Sequence, residues 1–169
     1  MAPIFAHLKS SREKFLTVCG EFPEARWQES PAPNSWSAAE VAAHVATIEE
    51  SIIFGMKRLL RAAPTPLSWR KRLHPPLAIA TWRVRKVKSP IPLDPQRVRN
   101  QPESFSALQA ARANTLQFIE STRGKDVSSY RFAHPFLGSL NMYEWFRTIG
   151  YHDLRHVKQI RELVEMFHV

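Results

Sequence analysis

Apolar residues recur at intervals of three and four through four stretches of this chain, the period of a helix with one buried face. Ile4, Phe5, Leu8, Phe15 and Val18 share a stripe that predicts a helix from about Pro3 to Cys19, with Gly20 as its stop. The following loop, Phe22 to Ser35, holds Pro23, Pro31 and Pro33 and is not a single helix. A second helix starts at the N-cap Ser37, with Glu40 three residues on completing a capping box, and runs to about Ala62. Its inward stripe reads Val41, His44, Ile48, Ile52, Gly55 and Leu59. A third runs from Glu103 or Ser104 to Thr122, with Phe105, Leu108, Thr115 and Ile119 inward and Gly124 past its end. A loop through Tyr130, Phe132, His134, Pro135 and Gly138 leads to a fourth helix that Asn141 can cap. That helix carries Trp145, Ile149, His152, His156, Ile160, Leu163 and Phe167 on one stripe.

The pattern predicts an all-α protein, a single four-helix bundle over residues 1–169. Between the second and third helices, residues 64–102 are punctuated by Pro75, Pro76, Pro90, Pro92 and Pro95. A connection that long suggests a crossover or a lid, with a short helix expected from Leu77 to Val87. A length of 169 residues suits one domain with a real core, and only 5 glycines argue against a sandwich of short strands. Charges break every apolar run well before the length a membrane span needs. The start, Met1 to His7, lacks the basic region and long apolar run of a signal peptide. The lone cysteine, Cys19, leaves no internal disulfide and fits a reducing cytoplasm; with no flanking cation it is not read as an activated thiolate.

The net charge of +9 belongs to one segment. Ten Lys or Arg residues and no acid lie between Ser51 and Leu93, whereas the rest of the chain has 14 basic and 15 acidic residues. Arg70-Lys71-Arg72 and Arg83, Arg85, Lys86 and Lys88, interleaved with Trp69 and Trp82, have the composition of a phosphate-contacting or membrane-surface segment. No nucleic-acid fold signature accompanies them, so a solvated loop or a lid that attracts an anionic substrate is favoured over nucleic-acid binding.

The residues that carry chemistry are histidines. His152 and His156 are spaced i, i+4 and project from one helix face. His44 occupies an inward position of another helix. Taken singly, each reads as a hydrogen-bonded core histidine. Three such polar groups in one small core carry a heavy desolvation cost that a shared metal ion removes, leaving a coordination position open for water or substrate. Around them, Glu40 is a candidate base already accounted for by its cap. Asp153 either orients a ligand ring or forms a surface ion pair with Arg155 or Lys158, and Gln159 either hydrogen-bonds at the site or finishes the polar edge. Trp36 reads as a staple at the start of the second helix and Trp145 as core. His134, before a proline, fits a turn-fixing hydrogen bond better than coordination, and His7, His74 and His168 read as surface residues.

Three stretches together are similar to the DinB/YfiT-like superfamily of four-helix-bundle proteins. They are Trp36-Ser37-x-x-Glu40-x-x-x-His44, His134-Pro135-Phe136-Leu137-Gly138 leading into Glu144-Trp145, and Tyr151-His152-Asp153-x-Arg155-His156-x-x-Gln159-Ile160. The resemblance implies an up-down-down-up bundle with a long connection between helices two and three. It also implies a divalent metal, commonly nickel or zinc, on His44, His152 and His156. Relatives include metal-dependent hydrolases and transferases or isomerases that use low-molecular-weight thiols. The expectation is therefore a cytoplasmic metal-dependent enzyme, hydrolase or thiol S-transferase, acting on a small molecule. The rival is a non-enzymatic protein that holds a metal or small ligand and docks an acidic partner, membrane surface or nucleic acid through its basic segment. A homodimer through a bundle face is compatible with either.

Overall fold

The structure, a computed structural model, describes residues 1–64, 75–82 and 91–167. Four helices dominate it: α1 (Ala2–Gly20), α2 (Ala38–Leu59), α3 (Gln101–Ser121) and α4 (Met142–Phe167). Local chemistry sets their starts. Ser37 Oγ accepts from the Glu40 N–H (3.2 Å) and Glu40 Oε2 accepts from the Ser37 N–H (2.7 Å), the expected capping box of α2. Asn141 and Glu144 make the same reciprocal pair at the head of α4, at 2.9 and 2.7 Å. Asn100, not foreseen as a cap, accepts from the Glu103 N–H and starts α3 earlier than the periodicity suggests, with Pro102 in the first turn.

The loop expected between the third and fourth helices contains a hairpin. β1 (Arg131–His134) pairs antiparallel with β2 (Gly138–Asn141), so among the described residues the regular structure is helical apart from this two-stranded element. Gly138 takes a positive φ of 79° at the hairpin turn, which a side chain would strain. His134 Nδ1 accepts from the backbone N–H of Phe136 (3.1 Å) and Leu137 (3.2 Å), the turn-fixing role anticipated for it. In the long connection, where a helix is expected from Leu77 to Val87, Leu77–Thr81 form a five-residue 3₁₀ turn that ends at the extended Trp82; Arg83–Val87 lie outside the described residues. So do Trp69, Arg70, Lys71, Arg72, His74 and Lys88.

Two contiguous apolar clusters form the core. Phe15, Val18, Val41, Val45, Leu108, Ile160 and Leu163 belong to one; Ile4, Leu8, Ile53, Met56, Phe118, Ile119, Trp145 and Ile149 belong to the other. Helices α1 and α4 therefore cross the core from the second cluster to the first, and α2 and α3 from the first to the second. α2 turns a slightly different face inward than the stripe suggests. Val45, Glu49, Ile53 and Met56 are buried, whereas Ile48, Ile52, Gly55 and Leu59 are half-buried. Gly150 allows α1 close to α4: a Cβ there would overlap the His7 ring. His7 is thus not the free surface residue expected; it is half-buried against Tyr151 (ring centroids 4.7 Å), with Nε2 3.2 Å from the Arg147 carbonyl.

Candidate metal centre

α2 and α4 bring the three histidines together. His44 Nε2 lies 3.2 Å from His152 Nε2, which lies 3.1 Å from His156 Nε2, and the three donor atoms fall within 4.8 Å of one another. Among the described residues this is the group of histidines, cysteines and carboxylates with metal-holding geometry. Metal–nitrogen bonds of about 2.1 Å separate neighbouring ligand atoms by roughly 3.0–3.4 Å in octahedral or tetrahedral arrangements, and both measured separations fall in that range.

Proton bookkeeping points the same way. The Gln159 carbonyl oxygen, Oε1, sits 2.8 Å from His156 Nδ1 and takes its N–H, so in the neutral ring Nε2 presents a lone pair to its neighbours. His152 Nε2 then faces two ring nitrogens. If it carries a proton, that proton serves one neighbour well; if it carries a lone pair, it meets the lone pair of His156. Neutral rings cannot make both contacts full hydrogen bonds. A cation accepting all three lone pairs resolves the arrangement. Protonation is disfavoured: burial pushes His44 down to about 4, and burial together with the neighbouring His156 and His44 pushes His152 well below its ordinary value. His44 and His156 are buried, and His152 is half-buried.

The residues around the triad have separate tasks. Trp36 packs at the start of α2 and tilts against the His44 ring, centroids 4.9 Å apart. Glu40 is engaged in its capping box. Gln159 is at the site, on His156. Asp153 makes no surface pair with Arg155 or Lys158; it is 1% exposed and faces inward. Its Oδ1 accepts from Arg12 Nη2 (3.1 Å), and its Oδ2 from Arg112 Nη2 (2.8 Å) and the Ser11 hydroxyl (3.2 Å). Glu49 completes the cluster, bonded to Arg12 Nη2 at 2.5 Å and Arg112 Nε at 2.8 Å. Arg12, Glu49 and Arg112 were not singled out by sequence; the available signal was a charge inside an apolar stripe on each helix. Lys158 and Arg155 instead donate to the carbonyls of Thr81 (3.2 Å) and Trp82, fastening the connection onto α4 beside the histidines. His134 takes no part in the triad, and Trp145 is core, stacked on Phe132 and bonded to its carbonyl. Cys19 is buried, and burial pushes its thiol up, so no thiolate is available there.

Comparison with known proteins bears on the family and the fold. Over 143 residues the chain is 26% identical to the uncharacterized protein YuaE of Bacillus subtilis (strain 168), covering 84% of this chain and 85% of the relative. In three dimensions it is similar to TT2238, a four-helix bundle protein, with a TM-score of 0.62, 24% identity, and 95% and 98% of the two chains covered; that likeness speaks to fold. The family model of the DinB superfamily matches residues 7–160, and the chain belongs to that superfamily.

Proposed function

We propose that His44, His152 and His156 hold one divalent metal ion with a coordination position left open, and that the protein is a metal-dependent enzyme acting on a small molecule. The observation that carries this reading is the convergence of three ring nitrogens at 3.1 and 3.2 Å in a proton arrangement that hydrogen bonds alone do not satisfy. An all-imidazole donor set favours nickel or zinc over magnesium or calcium. Such an ion supplies Lewis acidity, which suits hydrolysis or the use of a low-molecular-weight thiol in group transfer. The chain's own contributions are definite. Gln159 fixes the His156 tautomer, Trp36 walls the His44 ring, and burial keeps His44 and His152 unprotonated at neutral pH. Glu40 and Asp153 are committed to other contacts, so the reading names no general base from this chain.

A second reading follows from the charge. Ten cations without an acid between Ser51 and Leu93 fit a protein that holds its metal or ligand without turnover and docks an acidic partner. No helix among the described residues is long and apolar enough to cross a membrane. The lone Cys19 fits a reducing compartment, and on that ground we place the protein in the cytoplasm.

Metal analysis of protein purified without a histidine tag tests the first reading. One nickel or zinc per chain, lost in His152→Ala and His156→Ala, is the expected result. A metal-free protein that binds neither ion on titration refutes it. Turnover by the metallated protein in a screen of hydrolase and thiol-transfer substrates then separates enzyme from carrier.

A further inference from the structure

One charged residue from each helix meets in the core: Arg12 from α1, Glu49 from α2, Arg112 from α3 and Asp153 from α4, each at most 5% exposed. The signs are not arbitrary. The two helices that carry the triad histidines both contribute a carboxylate, and the two that carry none of the triad both contribute an arginine. Within the cluster α2 and α4 thus present like charges to each other, and the arginines bridge them. Arg112 bonds Glu49 through Nε and Nη2 and Asp153 through Nη2, and Arg12 Nη2 touches both carboxylates. The guanidinium groups are themselves anchored on α3 and α1: Arg12 Nη1 donates to the Leu108 carbonyl (2.6 Å) and Arg112 Nη1 to the Leu8 carbonyl. Asp153 is next to His152 in the chain, and Glu49 lies five residues beyond His44.

We propose that this cluster is the positioning device of the metal centre: the forks of Arg12 and Arg112 set the separation and register of α2 and α4, and so hold His44 against His152 and His156. The proposal rests on the metal reading above. A guanidinium fixes the relative position of two carboxylates because its donors form a rigid planar fork; an ammonium of equal charge offers three donors at one freely rotating point and imposes no such geometry. The cluster carries no net charge, two arginines against two carboxylates, and the effect proposed for it on affinity is geometric.

Two variants that keep that neutrality isolate the geometry. Arg112→Lys retains the charge and loses the fork. Glu49→Met combined with Arg112→Met removes one charge of each sign, leaves Arg12 paired with Asp153, and frees α2 from the cluster. Zn²⁺ affinity is read by competition with a chromophoric chelator, with folding checked by circular dichroism, and the visible spectrum of the Co²⁺ form reports ligand geometry. We expect Zn²⁺ affinity to fall on the order of tenfold in the folded variants, with an altered Co²⁺ spectrum. Should the double variant not fold, Arg112→Lys alone decides. Wild-type protein that binds no Zn²⁺ overturns the metal reading and this proposal with it. Wild-type binding with folded variants within about twofold of it overturns this proposal alone.

Discussion

A histidine's value to a metal lies in which nitrogen is bare, and here one side chain decides that. Gln159 Oε1 holds the Nδ1 proton of His156, leaving Nε2 for the centre. Removing an outer hydrogen-bond partner of a ligating ring typically costs 10–100-fold in metal affinity. Gln159→Leu should therefore weaken Zn²⁺ binding by about tenfold or more, while Gln159→Glu, which keeps an acceptor at that position, should retain most of it. Isothermal titration of the three proteins checks this, and equal affinities would show that His156 needs no partner to present Nε2. The residue scale also shows what the sequence reveals and hides. The histidines were legible because each breaks an apolar stripe with a residue type that has few reasons to be there. Arg12, Glu49, Arg112 and Asp153 break stripes just as plainly: Arg12 stands between Leu8 and Phe15, Glu49 between Val45 and Ile53, Arg112 between Leu108 and Thr115. Their meaning depends on partners up to 141 residues away, and no local period announces such pairing.

Elements were legible in proportion to how local their determinants are. Ser37 with Glu40 and Asn141 at α4 could be read directly, because a cap is made within four residues. The hairpin was not: Phe132, Leu140 and the turn at Pro135–Gly138 carry a weak alternation, and Phe132, paired with Leu140, stacks on Trp145 of α4, a contact that no local pattern announces. The face of α2 shifted for a related reason. Glu49 turns inward to meet two arginines, carrying Ile53 and Met56 into the core and leaving Ile48 and Ile52 half-covered. Two predictions belong to this scale. Ser37→Ala removes one half of the α2 capping box and should cost about 1 kcal/mol in chemical denaturation. Gly150→Ala forces the His7 ring off Arg147 and Tyr151, which offsets the gain of about 1 kcal/mol expected for alanine in a helix. In a His7→Ala background the same substitution should become stabilising by about that amount. A double-mutant cycle on denaturation midpoints measures the difference, and an unchanged effect of Gly150→Ala in the two backgrounds refutes the contact.

Across the whole molecule, the depressed histidines make stability a function of pH. Burial pushes His134 and His44 down to about 4, so an unfolded chain takes up protons near pH 6.5 that the folded chain refuses. Stability contributed by these rings is complete above pH 6.5 and is lost as pH falls from there towards 4. For His44 the slope approaches roughly 1.4 kcal/mol per pH unit in the metal-free protein; for His134, which is partly exposed, it is smaller. Glu49 extends the loss further into acid. Its burial favours the neutral form, but Arg12 and Arg112 outweigh it and hold the carboxyl below its usual value, so its contribution disappears only as that lower value is passed. His134 offers the clean test, because it lies away from the triad and its task is known. A proton on Nδ1 abolishes the acceptor for Phe136 and Leu137 and opens the turn between β1 and β2. His134→Asn supplies a side-chain oxygen suited to the same two N–H groups and has nothing to titrate. Urea denaturation of the metal-free protein should show a steeper decline from pH 7 to pH 5 in the wild type than in His134→Asn, with similar stability at pH 7.5. Parallel declines would mean that the His134 ring takes up its proton in the folded state as readily as in the unfolded chain.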